Sequence, residues 1–194
     1  DINNRSSLTQ VGNKNTWQSV AIGGYFTAAI QTDNTLWSWG YNGQGQLGFS
    51  STTNYSSPKQ IGLLTTWSSS GNGWYSSYGI KTDGTLWTWG FNQNGCLGIG
   101  NQTNQSSPVQ VGALTNWSKV FNGEYHALAI KTDGTLWTWG QNNSGQLMQD
   151  STIFRSSPVQ VGTATNWSVI SGGASGFSLA IKTDGTLWAG GNNG

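Results

Sequence analysis

Four aspartates recur at one interval and are the first residues to test for chemistry. Asp33, Asp83, Asp133 and Asp184 each follow a threonine and precede Asn34, Gly84, Gly134 and Gly185. Carboxylates serve as general acids or metal ligands when several surround one substrate or ion. One carboxylate about every fifty residues gives no such convergence. Asp-Gly between apolar runs is instead hairpin-turn chemistry, because both residues tolerate the positive φ of a type I′ turn. The single histidine, His126, and the single cysteine, Cys96, fall in different repeats and different loops. They therefore do not form the nucleophile–base pair that covalent catalysis needs. His126 aligns with Phe26, Ser76 and Phe177 and reads as a packing or strand-bonding residue, while Cys96 stands where Gln46 and Gln146 stand elsewhere. Glu124 has no second carboxylate nearby in sequence with which to form a hydrolytic pair. No catalytic, cofactor-binding or metal-binding set is expected, and the chain is not read as an enzyme.

One constellation does have the chemistry of a binding surface. Tyr25, Tyr75 and Tyr125 occupy the same repeat position, Trp74 precedes the second, and His126 follows the third. Placed in loops that lead into strands, they form an arc of aromatic rings on one end of the molecule. With Asn, Gln and Ser around them, such rings suit protein or sugar surfaces through stacking and hydrogen bonds. The competing expectation is that these tyrosines only cover the ends of the sheets.

The elements that position these residues follow from a repeat, and internal periodicity is the first organisation to look for. Leu-Trp recurs at Leu36-Trp37, Leu86-Trp87, Leu136-Trp137 and Leu187-Trp188, spaced by 50, 50 and 51 residues. A second series, Trp17, Trp67, Trp117 and Trp167, runs at intervals of 50. Ser-Ser-Pro recurs at positions 56–58, 106–108 and 156–158, and Ser6-Ser7-Leu8 is its N-terminal counterpart. The extra residue of the last interval falls within Ser171–Phe177. Each repeat reads as strands: a segment led by the first Trp, a short apolar run such as Ala127–Ile130, then Thr-Leu-Trp-x-Trp-Gly, and a shorter strand after Ser-Ser-Pro. Gly and Asn interrupt every stretch before a helical stripe could form. The expected fold is all-β, a β-propeller of four-stranded antiparallel blades made from about four repeats near 1–50, 51–100, 101–150 and 151–194. In Leu136-Trp137-Thr138-Trp139, Leu and Thr share one face and the two Trp the other. Both faces then need cover, which stacked blades provide.

The stretch Ala129-Ile130-Lys131-Thr132-Asp133-Gly134-Thr135-Leu136-Trp137-Thr138-Trp139-Gly140, followed by Asn142 and Gly145-Gln146-Leu147, resembles the regulator of chromosome condensation repeat. Gly123-Glu124-Tyr125-His126 fits the same repeat, and the likeness covers all four copies. The resemblance implies blades of four strands and a ring closed by strands from both chain ends. Gln10-Val11 is thereby expected to complete the last blade. Family members usually have seven blades, so four copies imply a small closed ring, half of a dimeric ring, or part of a longer array. Nucleotide exchange in that family depends on a projecting insertion between blade strands, for which fifty-residue repeats leave no room. The third and fourth repeats depart from the pattern, with Met148-Gln149-Asp150 replacing Gly98-Ile99-Gly100 and Ala189-Gly190-Gly191 replacing the second Trp and its neighbours.

Composition narrows the function further. Only 8% of the 194 residues are charged, against about 25% in typical soluble domains. The net charge is +1 with no Lys or Arg run, so the basic footprint of a nucleic-acid binder is missing. No apolar run approaches the ~20 residues of a membrane helix, and no membrane insertion is expected. A lone cysteine forms no intramolecular disulfide. The chain begins at Asp1 without an evident signal peptide and reads as a processed form or a segment of something longer. The leading expectation is a non-catalytic structural or protein-interaction module, self-assembling or binding a protein partner. A neutral polar surface suits an extracellular or virion assembly better than the cytoplasm. A lectin-like binder of glycans, with one site per blade, is the second expectation. A regulator of a small GTPase is the third.

Overall fold

A computed structural model of the protein describes residues 6–173 and 176–192. Among the described residues all regular structure is β, in fifteen strands. The first blade comprises β1 (Trp17–Ile22), β2 (Phe26–Gln31), β3 (Leu36–Gly40) and β4 (Tyr55–Gln60). The second comprises β5 (Trp67–Asn72), β6 (Ser76–Lys81), β7 (Leu86–Gly90) and β8 (Gln105–Gln110). The third comprises β9 (Trp117–Asn122), β10 (His126–Lys131), β11 (Leu136–Gly140) and β12 (Arg155–Gln160). The fourth has three strands, β13 (Trp167–Gly172), β14 (Phe177–Lys182) and β15 (Leu187–Gly191). Each sheet is an antiparallel meander in chain order. A blade starts at the leading Trp, so the blades are offset from the 1–50 frame of the sequence repeat. The expected insertion within Ser171–Phe177 centres on residues 174–175, outside the described residues.

The hairpin connection is not the type I′ turn expected: positive φ falls only on its last residue, Asn34, Gly84, Gly134 or Gly185, and not on the aspartate before it, so a three-residue Thr-Asp-Gly or Thr-Asp-Asn loop joins the strands and side chains hold it. Asp133 Oδ1 accepts hydrogen bonds from the Thr135 amide (3.0 Å) and hydroxyl (2.6 Å), and Thr135 Oγ1 accepts from the Trp137 indole at 2.9 Å. The other three repeats carry the same relay. The Thr hydroxyls hold all four carboxyls below their usual range. These aspartates are turn anchors, one per blade. Lys81 and Lys131 lie over the adjacent indoles of Trp87 and Trp137 at 3.5 and 3.6 Å, a cation–π contact that covers the outer ring.

Blades pack face to face, the Leu side of one against the Trp side of the next. Ala28, Ile30, Leu36 and Ile61 of the first blade enclose Trp67 and Trp89 of the second. Tyr78, Ile80, Leu86 and Val111 of the second enclose Trp117 and Trp139 of the third. Leu128, Ile130 and Leu136 then meet Trp167 and Ala180 of the fourth. Each large apolar side chain so hidden contributes about 1.5–3 kcal/mol. The interface also has a polar latch. The Trp89 indole donates to the Gln46 carbonyl of the preceding blade at 2.9 Å, and Trp139 donates to the Cys96 carbonyl at 2.8 Å.

The ring is open in this structure. Gln10 and Val11 are exposed and belong to no strand, and the sheet they were expected to complete has three strands. Two blade faces are consequently uncovered. On the first blade, Val20 and Ile22 are exposed and Trp39 is half-buried, although its equivalents Trp89 and Trp139 are buried. On the fourth, Leu187 is 63% exposed where Leu36, Leu86 and Leu136 are at 0%. The same residue types are core or surface according to whether a neighbouring sheet is present.

Candidate functional site

The turn between the first two strands of a blade delivers an aromatic residue to one end of the molecule. A second segment joins it there, because the residue following each Trp-Gly donates its amide to that aromatic's carbonyl. Tyr41 is bound in this way to Tyr25, Phe91 to Tyr75 and Gln141 to Tyr125, each at 2.9 Å. Two repeat positions sixteen residues apart therefore share one edge. In the first two blades both are aromatic, in the third the second becomes Gln141, and in the fourth the pair is Gly176 and Asn192.

The outcome is a single cluster instead of one site per blade. Tyr25 and Tyr75 stack across the blade junction with centroids 6.1 Å apart at 27°. Trp74 meets Tyr25 edge-on at 6.0 Å and Tyr75 at 6.4 Å. Tyr41 closes the group, 6.4 Å from Tyr25 and 6.0 Å from Tyr75. Offset and edge-to-face pairs of this kind add about 0.5–1.5 kcal/mol each beyond burial and fix the rings in place. A backbone contact aligns the two loops, with the Gly24 amide donating to the Trp74 carbonyl at 3.2 Å. A Cβ at position 24 would lie 2.9 Å from that oxygen, so only glycine allows the approach. Tyr25 remains 61% exposed, and Tyr41 is exposed beside it.

Tyr25, Trp74 and Tyr75 are thus brought together. Tyr125 stands apart from that group and packs on Phe91 at 5.5 Å. Burial, with the Glu124 carboxylate beside it, raises its phenol above the usual range. His126 does not belong to the surface. It is 2% exposed, hydrogen-bonded from Nε2 to Ser178 Oγ of the fourth blade at 2.9 Å, and burial pushes it down to about 4. The reason is its place in the blade: His126 opens β10, a strand buried along its whole length, as Phe26 and Ser76 open β2 and β6, and those are buried as well. Tyr41 and Phe91 were not singled out from the sequence. Their signal was the recurrence of an aromatic directly after Trp-Gly in two successive repeats. Cys96 is buried, its thiol donates to the Phe91 carbonyl at 3.0 Å, and burial pushes it up to about 12. It is a core residue without nucleophilic character. Among the described residues no three His, Cys, Asp or Glu side chains are grouped to hold a metal.

Stacked four-stranded meanders of this kind, latched by indole–carbonyl hydrogen bonds, define a β-propeller assembly. The regulator of chromosome condensation (RCC1) repeat pattern matches residues 33–77, 83–130 and 133–181, and a second form of that pattern matches 17–46 and 117–146. The chain belongs to the regulator of chromosome condensation repeat family. No curated protein sequence matches it. Among solved structures it is similar to yeast RCC1 (Prp20) bound to Kap60, with a TM-score of 0.80, 19% identity, and coverage of 92% of this chain and 44% of that one. It is also similar to human WBSCR16, with a TM-score of 0.77, 20% identity, and coverage of 90% and 47%. A third is Prp20p of Saccharomyces cerevisiae, described with its binding to Gsp1p and histones, with a TM-score of 0.75, 22% identity, and coverage of 91% and 44%. The chain spans less than half the length of each.

Proposed function

We propose that the chain is a non-catalytic protein-interaction module that receives its partner on the Tyr25–Tyr41–Trp74–Tyr75 end. The observation that carries this reading is that four interlocked rings meet at one end, Tyr25 and Tyr41 exposed and Trp74 and Tyr75 half-buried, while the indoles of the interior are hidden between sheets. Rigid Tyr and Trp side chains lose little conformational freedom on binding and dominate the energetic centres of protein interfaces. Similarity to a protein solved with Kap60, and to one described as binding Gsp1p and histones, supports a protein as the ligand. The neutral polar surface suits a place in an extracellular or virion assembly. A GTPase-regulating role ranks last, since the strand connections are too short for a projecting insertion. A glycan reading with one site per blade is disfavoured, because the aromatic pair is lost after the second blade.

The test is affinity capture on immobilised protein from an extract of its own source, comparing the wild type with Tyr25→Ser/Tyr75→Ser. A partner retained by the wild type should bind the variant roughly thirtyfold more weakly, corresponding to the loss of about 2 kcal/mol typical of an interface hot spot. The far-ultraviolet circular dichroism of the variant should be unchanged. Equal partner binding by the variant refutes the proposal, as does saturable glycan binding with no protein retained.

A further inference from the structure

The two uncovered faces of the open ring are the two halves of one interface. At each internal junction the Leu side of a blade meets the Trp side of the next. The first blade has no neighbour on its Trp side, where a hollow of about 300 Å3 is lined by Val11, Trp17, Val20, Ala29 and Trp39. The fourth blade has no neighbour on its Leu side. There Leu179, Ile181 and Leu187 stand at the repeat positions of Ala28, Ile30 and Leu36, which fill the first junction. Leu187 is exposed and the other two are half-buried, whereas all three counterparts are buried. The remaining apolar residue of that junction, Ile61, has its repeat counterpart in Val11, which already lines the hollow beside Trp17.

The sheet edges match in the same way. β15 is an edge strand, and an edge presents a row of backbone N–H and C=O groups ready to pair. In the other three sheets β4, β8 and β12 take that place. Ser6–Gln10 is the sequence counterpart of Ser56–Gln60 in β4, and it lies in no strand. The register of Trp37 with Gln60 and Ser38 with Lys59 then sets Trp188 opposite Gln10 and Ala189 opposite Thr9. Within a single chain both faces stay open, so its four blades do not meet around the ring. We propose that two copies of this chain associate head to tail. The Leu side of each fourth blade seats on the Trp side of the other copy's first blade, and Ser6–Gln10 of each copy joins the other's β15. Two identical junctions close about a two-fold axis and leave neither face nor edge free. The ring then holds twice four blades, within the range of about four to eight that closed propellers contain.

The test is the double variant Thr9→Cys/Ala189→Cys, whose introduced thiols face each other across the proposed strand pair. Cys96 is buried and stays out of the reaction. Mild oxidation should give a covalent dimer on a denaturing gel. The wild type should sediment at twice 20.7 kDa across the micromolar range, and dilution should release the single chain with its two open faces. A cross-link within a monomer overturns the proposal, because the ring then closes in one chain. A ladder of higher multimers, or a wild type that stays monomeric, overturns it as well. Direction is read from Leu187→Glu and Val20→Glu, both at positions exposed in the single chain and therefore compatible with its fold. Each should weaken self-association at least about thirtyfold, since the junction buries a charge without a partner. Their equimolar mixture should recover part of the dimer, because it keeps one intact junction. Self-association of Leu187→Glu equal to that of the wild type overturns the head-to-tail arrangement, as Trp sides would then pair with each other. Neither face contains Tyr25, Tyr41, Trp74 or Tyr75, so self-association and partner capture at the aromatic end fail independently.

Discussion

Met148 and Gly190 exchange the sizes of their repeat counterparts, and this exchange makes a quantitative prediction about how the fourth blade docks. At the first two junctions a glycine with positive φ, Gly48 or Gly98, faces the indole of Trp89 or Trp139. A Cβ at Gly98 would lie 2.7 Å from that indole nitrogen. At the third junction the bulk is on the other side. Met148 occupies the glycine position at φ 53°, and Gly190 occupies the Trp position. A Cβ at Gly190 would come within 2.6 Å of Met148 Cγ. Gly190→Trp should therefore cost about 1–3 kcal/mol by overpacking. Met148→Gly loses a half-buried side chain but relieves a left-handed backbone, for a net cost of about 1 kcal/mol. The double variant recreates the Gly98–Trp139 arrangement, and its new indole can donate to the Gln146 carbonyl, a bond that contributes about 0.5–1.5 kcal/mol. The double variant should thus be less destabilised than the sum of the singles by about 2 kcal/mol, within the range seen for residues in direct contact. Urea denaturation followed by circular dichroism measures the cycle, and hydrogen exchange at the Leu179–Ile181 amides assigns the change to the fourth blade. Strict additivity, with the double variant as unstable as the summed singles, would refute the complementary packing.

Three further outcomes follow from the same junctions. Trp139→Phe should cost about 1 kcal/mol for the lost bond to the Cys96 carbonyl, plus a packing penalty, while Trp39→Phe on the uncovered blade should cost under about half as much; equal losses in urea midpoints would contradict the latching role. Because burial lowers His126 from 6.5 to about 4, folding favours its neutral form. Stability from this group is complete above about pH 6.5 and falls as pH drops toward 4, by up to about 3 kcal/mol; His126→Gln should flatten that slope in urea unfolding measured against pH. Cys96, 1% exposed with its thiol pushed up to about 12, should resist a thiol-reactive dye in the native protein and react fully in denaturant, and rapid native labelling would show the thiol to be accessible.

Much of the fold was legible because its determinants are local and repeated. A fifty-residue period, Thr-Asp-Gly turns and a Leu-Trp-x-Trp-Gly strand specify a hairpin and its faces without reference to the rest of the chain. The turn role of the four aspartates and the inert character of Cys96 followed from repeat alignment alone. The aromatic end was legible only in part. Tyr25 and Tyr75 share a repeat position with Trp74 next to the second, but Tyr41 lies sixteen residues from Tyr25 and reaches it through a backbone hydrogen bond that sequence spacing does not encode.

By itself the sequence determined the type of blade, the number of copies, and which side chains could face a neighbouring sheet. Only the tertiary structure decided which of those faces are covered. Identical residue types are interior at Trp139 and half-open at Trp39, hidden at Leu136 and exposed at Leu187, because burial belongs to the pair of surfaces and not to either strand. The same reason places His126 inside, and it converts two separate oddities at positions 148 and 190 into one contact.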